Sequence, residues 1–236
     1  SAGKDTSVKT ANLLQVLNAL DSGYDYYGKA GAVEFLTQDE THCIHVMART
    51  SNGNYSKTFP ALTPGGPNVV SGTQAMMIQN LVSNDTFRTA YGGFNPTDNP
   101  ITVEYQFYDS SGSPIGNSFT KTFNGRQYRA LNVFGEADIA YPQFSHNNVW
   151  LKISQVSGTG QLMSYGATAN NITNDPAVHH AVLAGTGTTG FKAPSDYKVI
   201  PEVLWAPASG GGEWKTEVQI TDMTGGSEVS VYYHCG

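Results

Sequence analysis

The residues best suited to chemistry are clustered at the two ends of the chain. His42, Cys43 and His45 stand near one end, and His234 and Cys235 close the other. Imidazole nitrogen with thiolate sulfur is a competent donor set for zinc or copper, provided the fold brings both ends to one place. Side chains alternate across a strand, so Cys43 and His45 share one face and His42 takes the other. A Cys43–Cys235 disulfide would also withdraw both thiolates. The expectation for His42, His45 and His234 is therefore solvated or hydrogen-bonded strand histidines, with no metal and no cofactor. His179-His180, just before Ala181-Val182-Leu183, reads as a strand edge.

Other candidates are thinner. Asp39-Glu40 and Asn174-Asp175 lack the D-x-D-x-D-G spacing of a dedicated calcium loop and read as solvated turns. Asn54-Tyr55-Ser56, Asn84-Asp85-Thr86 and Asn171-Ile172-Thr173 fit the glycosylation acceptor pattern. Tyr24-Asp25-Tyr26-Tyr27 and Trp205 offer rings that either stack on sugars or pack inside and between domains. No G-x-S-x-G, H-E-x-x-H, P-loop or C-x-x-C-H is present. Gly210-Gly211-Gly212 precedes a strand, so it reads as a hairpin loop, because a phosphate cradle needs a helix after it. No catalytic residue is assigned, and the chain is read as a non-enzyme.

The elements that position these groups are repeated. Phe87-Arg88-Thr89, Asn95-Pro96 and the alternating run Ile101 to Phe107 have a downstream partner in Trp214-Lys215-Thr216, Asp222-Met223 and Val229 to Tyr233. Val149 to Ala169 echoes Gly31 to Ser51, with Leu151 falling on Val33 and Leu162 on Ile44. The chain thus reads as the C-terminal half of a split β-sandwich (1–66), a continuous β-sandwich (67–190), and the N-terminal half of the split one (191–236). Neither half can bury its apolar face alone, since an isolated sheet fragment is marginal in water. The two ends must complete one sandwich within a molecule or between neighbours. Trp214, Val218, Ile220, Val229, Val231 and Tyr233 lie on the strands that would make this junction. Cys43 and Cys235 fall one on each half, so a disulfide between them would clasp the halves. The alternative is two unrelated buried thiols.

Composition agrees with an all-β chain. Of 236 residues, 26 are Gly and 13 are Tyr, and only 14% are charged. A net charge of −6 argues against nucleic acid or an anionic membrane surface as partner. No apolar run is long enough for a membrane-spanning helix. Low charge and abundant Thr, Asn, Gly and Tyr indicate a secreted or surface-exposed protein. Because the chain begins at Ser1 without Met, a leader could already have been removed.

One stretch, Thr10 to Leu20, is helical in pattern, with Leu13, Val16, Leu17 and Leu20 on one stripe. Its counterpart, Ala130 to Phe134, suggests a single turn. Strands are expected around Val33 and Phe35, around Ile44 and Val46, and over Met76 to Leu81, Phe87 to Phe94 and Ile101 to Tyr108. Further strands are expected over Ser118 to Phe123, Val149 to Ile153, Gln161 to Thr168, Lys198 to Trp205, Trp214 to Ile220 and Glu228 to His234. Asp109 to Gly112 and Asn95 to Pro100 are turns. Such spacing indicates immunoglobulin-like sandwiches.

FRTAYGGFNPTDNPITVEYQFYDSSGSPIG, then ALNVF, then YGATANNITNDP, resembles the paired immunoglobulin-like β-sandwich repeats of secreted and cell-surface bacterial proteins. Those repeats share an aromatic-Arg-Thr strand, an Asn-Pro turn, a "YDxxG" hairpin and a Tyr-Gly strand running into an Asn-rich loop. The resemblance implies an extracellular or adhesive module without catalytic residues to carry over. The function expected is that of a filament or matrix subunit assembling head-to-tail by strand complementation, a homopolymer. The alternative is a monomeric adhesion or glycan-binding module that meets a surface glycan or receptor.

Overall fold

The computed structural model describes residues 6–10, 12–21, 23–37, 44–52, 55–66, 68–183, 197–207, 213–222 and 229–235. The chain is all-β in several sheets. The first part carries β1 (Thr6–Thr10), α1 (Leu13–Leu20), β2 (Lys29–Thr37), β3 (Ile44–Asn52) and β4 (Tyr55–Pro60). The middle carries β5 (Val69–Val70), β6 (Met76–Ser83), β7 (Phe87–Phe94), β8 (Ile101–Tyr108), β9 (Pro114–Phe123) and β10 (Tyr128–Leu131). It continues through α2 (Val133–Glu136), β11 (His146–Gly158), β12 (Leu162–Asn170), β13 (Pro176–His180) and β14 (Val182–Leu183). The last part carries β15 (Tyr197–Pro207), β16 (Glu213–Asp222) and β17 (Val229–Cys235). Contacts divide the chain into one unit built from Ser1–Pro64 with Lys192–Gly236, and a second from Gly65–Phe191.

In the first unit a seven-stranded sheet runs β17-β2-β15-β16-β3-β4, with β1 on β16. Strands from both ends of the chain therefore alternate in it. β2 lies between β15, with Val33 opposite Ile200, and β17, with Val33 opposite Tyr233. β16 runs against β3, with Val218 opposite Ala48 and Ile220 opposite Val46. Ala32, Val33, Phe35, Val46, Ala48 and Val203 are buried; β2 is buried continuously from Gly31 to Phe35, whereas Val46 and Ala48 alternate with exposed Met47 and Arg49 on β3. Helix α1 is capped by Asn12, whose side chain accepts from the Gln15 N–H at 3.1 Å. The expected apolar stripe is covered only at its start. Leu13 and Leu14 are buried, whereas Val16 is 43% and Leu20 80% exposed.

The second unit has two five-stranded sheets, β10-β7-β12-β13 with β5 on β12, and β14-β6-β11-β8-β9. Side chains of both sheets share one core, including Tyr91, Leu162, Ile78, Tyr105, Phe107, Leu151 and Phe134. The core carries a polar bridge between the sheets. The Tyr91 hydroxyl lies 2.9 Å from the Tyr105 hydroxyl and 2.7 Å from Ser164 Oγ. Asn95 is fully buried at the Asn-Pro turn. Its amide nitrogen donates to the carbonyls of Asn99 (2.7 Å), Asn124 (3.0 Å) and Phe123 (3.3 Å). Its oxygen accepts from Thr97 N (3.0 Å), Thr97 Oγ1 (2.7 Å) and Gln161 N (3.4 Å). The turn is thus tied to two other segments, at Phe123-Asn124 and at Gln161.

Several short strands depart from the expected pattern. β1, β4, β5 and β10 have no counterpart in the expected pattern, His179-His180 end β13 as the strand-edge reading expects, and Ala130-Leu131 ends a strand before α2 begins. Among the described residues no helix is long and apolar enough to cross a membrane.

Candidate functional site

Of the histidines and cysteines at the chain ends, only the backbones of His45, His234 and Cys235 are among the described parts. The His45 backbone stands opposite Thr221 on β3, and the His234 and Cys235 backbones stand opposite Ala32 and Gly31 on β17. Three strands separate β17 from β3 in the sheet order. His42 and Cys43, and with Cys43 the expected bond to Cys235, lie outside the described residues. So do Asn54, Asp39-Glu40 and Gly210 to Gly212. Among the described residues no three His, Cys, Asp or Glu side chains group as a metal set. The backbone of Trp214 pairs with Ala206, Val229 with Thr37 and Val231 with Phe35, which puts all six junction residues on β16 and β17.

The tyrosine run at the N-terminal end is a packing element. Tyr26 meets Tyr233 edge-on with ring centroids 4.9 Å apart, and Tyr24 meets Tyr26 at 4.7 Å. An early loop is thereby packed against the last strand of the same unit. The Trp205 side chain lies outside the described residues.

In the second unit a groove of about 580 Å³ opens beside the first half of β7. Its origin is a mismatch of strand lengths. β12 pairs with β7 over its whole length, from Phe87 to Phe94. β10 pairs only with Tyr91 to Phe94 and then ends, because Asn132 caps α2 by accepting from the Gly135 N–H at 3.2 Å. Residues 87–90 therefore have no described strand on that side. Ser83, Tyr91 and Phe134 are buried at the bottom, while Phe87, Arg88, Asn132, Tyr141 and Asn171 stand exposed around it.

Two Asn-rich turns hold the upper rim. Asn84 Oδ1 accepts from the N–H groups of Thr86 (2.9 Å) and Phe87 (2.7 Å), closing the β6–β7 turn. Asn171 Nδ2 donates to the Asp85 carbonyl at 2.9 Å, and the Asn171 N–H to the Thr86 carbonyl at 2.7 Å. Arg88 then spans the two turns. Its guanidinium donates to Asn174 Oδ1 at 2.7 Å, to Asn171 Oδ1 at 3.2 Å and to the Asn170 carbonyl at 3.4 Å. The Asn174-Asp175 turn thus spends an amide oxygen on a guanidinium. The acceptor asparagines Asn84 and Asn171 both have their side-chain amides engaged, Asn84 Nδ2 donating to Asn147 Oδ1 at 2.7 Å.

The ionisable groups around this region are tuned by burial. The Tyr91 hydroxyl is pushed up to about 12 by its removal from water, so it stays protonated at neutral pH. Burial, followed by the neighbouring Tyr91, pushes Tyr105 well above its ordinary value. Burial lowers His146, whose ring lies 6.2 Å from that of Phe134, and lowers His179 and His180 on β13. The groove itself presents neutral amides, two exposed rings and one guanidinium, a set suited to holding a polar ligand. The expected candidates did not include it. The usable signal was Arg88, an arginine within a strand of a chain only 14% charged. Comparison with protein-family models, with curated proteins and with solved structures gives no match.

Proposed function

We propose that this chain is an extracellular, non-enzymatic β-sandwich module that acts as a surface or adhesion element. The observation that carries the reading is the pairing of β15, β16 and β17 with β2, β3 and β1, which completes one sheet from both ends of a single chain. Its likeness to bacterial surface repeats, in the Asn-Pro turn, the YDSSG hairpin and the ATANNITNDP loop, supports the extracellular placement.

Head-to-tail strand complementation, giving a filament or matrix, is the second reading. It is favoured by the same pairings, because a neighbour's β15 to β17 can make every one of them in a swapped arrangement. Within one chain the ends meet at an effective concentration on the order of millimolar, so the closed form prevails in dilute solution. A Cys43–Cys235 bond would lock whichever form it is made in.

Light scattering on the native protein, with gels run without and with reductant, separates the two. The adhesion reading requires a monomer of 25.3 kDa that gives a single band without reductant. A ladder that collapses on reduction, with fibres in negative stain, would replace it by the filament reading.

A further inference from the structure

We infer that the groove beside β7 binds a saccharide that carries a carboxylate, with Arg88 as the anchor for the acid. This rests on the reading of the chain as a surface adhesion module and assigns it a ligand class. Three features of the groove point the same way. Arg88 is the one charged side chain among its lining residues, and the rest are amides, hydroxyls, rings and small apolar groups. The site is therefore positive within a chain of net charge −6. Second, among the described residues the Arg88 guanidinium is held only by neutral oxygens, those of Asn170, Asn171 and Asn174. It is positioned without being neutralised, and five N–H donors exceed the three acceptors that hold it. A planar guanidinium of this kind takes a carboxylate through two parallel hydrogen bonds.

Third, Tyr141 is 47% and Phe87 36% exposed at the groove, and both present apolar ring surface to water. The C–H faces of a pyranose cover such rings, while its hydroxyls find the side-chain amide nitrogen of Asn132. The volume of about 580 Å³ suits two or three sugar rings rather than a single small ion. An extended peptide could also lie along the open side of residues 87–90. The stretch is only four residues long, and the N–H and carbonyl of Phe87 at its start are taken by Asn84, so the saccharide is favoured.

The test uses the full chain and an immobilised panel of oligosaccharides of matched length: uronic acid, sialylated, sulfated and neutral. The expected result is retention of carboxylated members over their neutral counterparts by about tenfold or more, the scale of a charge-assisted bidentate contact. Arg88→Gln should abolish this preference. Tyr141→Ala should weaken binding about tenfold while keeping the preference, because the ring contributes stacking and no charge. Tyr141 is half exposed, so this variant also guards against a folding defect in the Arg88 variant. Arg88→Lys should retain charge yet weaken retention of the carboxylated members, because an ammonium lacks the planar fork. Equal or tighter binding of neutral or sulfated sugars, or a carboxylate preference unchanged in Arg88→Gln, would overturn the assignment. The oligomeric state measured on the same samples fails or holds independently, which keeps this result separate from the adhesion reading.

Discussion

Deleting residues 192–236 should unfold the first unit and leave the second intact. The deletion removes β15, β16 and β17, so β2 loses its pairing on both edges and β3 loses one edge. Val33 and Phe35 on β2, and Ile44 and Val46 on β3, are all at most 4% exposed in the intact chain. Burying a side chain of this type contributes about 1.5–3 kcal/mol, so four of them contribute roughly 6–12 kcal/mol. That is comparable with the whole stability of a domain, about 5–15 kcal/mol, and leaves nothing to offset the entropy of ordering the remnant. The deletion also takes away Trp205 and Trp214, so Trp150 on β11 becomes the only tryptophan and its fluorescence reports the second unit alone. In the shortened chain limited proteolysis should consume residues 1–64, while the Trp150 unfolding transition keeps its urea midpoint. Adding residues 192–236 as a separate peptide should restore protection. Survival of the first 64 residues under protease without that peptide would refute the reasoning, as would loss of the Trp150 transition.

Three further perturbations probe the second unit. A Cβ at Gly92 would stand 2.4 Å from the Tyr165 ring, whose hydroxyl is tethered to Tyr128 at 3.0 Å, so Gly92→Ala should destabilise by about 1–3 kcal/mol in urea titration. Asn95→Ala strands buried donors and acceptors of the Asn-Pro turn and should cost roughly 2–4 kcal/mol, with the hydrogen exchange of Thr97 and Gln161 accelerating first. His146, His179 and His180 are all lowered by burial, so the unfolded chain binds protons more readily than the folded one. The stability of this unit should be full above about pH 6.5 and decline as pH falls below it, the unfolded value being the upper edge of the window. A Trp150 urea midpoint that stays flat between pH 7.5 and 5.5 would contradict this.

Long alternating runs were legible because burial imposes a period of two. Ile101 to Tyr108 is a strand with the bounds its pattern suggests, every second residue buried. Where an element is short or polar the period has nothing to act on. Pro176-Ala177-Val178-His179-His180 pairs with β12 although its sequence hardly alternates, and His146-Asn147-Asn148 extends β11 past its apolar part. The helix stripe of Leu13, Val16, Leu17 and Leu20 was read as a face to be covered, yet only the first turn reaches the sheet. Periodicity reports where apolar residues point and not how far the covering surface extends. The groove escaped notice for a related reason. It arises because β10 stops four residues short of the start of β7, and a strand's length relative to its neighbour is a tertiary property.

The two units nonetheless share one pairing pattern, and that pattern locates what sets the groove apart. β11 stands between β6 and β8 as β2 stands between β15 and β17, and β12 lies against β7 as β3 lies against β16. The register agrees residue by residue: Arg88 and Thr89 face Ala169 and Thr168, while Lys215 and Thr216 face Ser51 and Thr50. Asn132 and Asn12 cap equivalent helices. These pairings are therefore duplicated, although β15 also pairs with β16 where β6 and β7 lie in separate sheets, and Arg88 of one unit has Lys215 at its place in the other. An ammonium is a compact, strongly hydrated point charge without the planar fork that matches a carboxylate, so the duplicated frame does not duplicate the binding chemistry. Selectivity for a carboxylated sugar should accordingly reside in the second unit alone, and exchanging the two cations, Arg88→Lys with Lys215→Arg, should lose it without restoring it elsewhere.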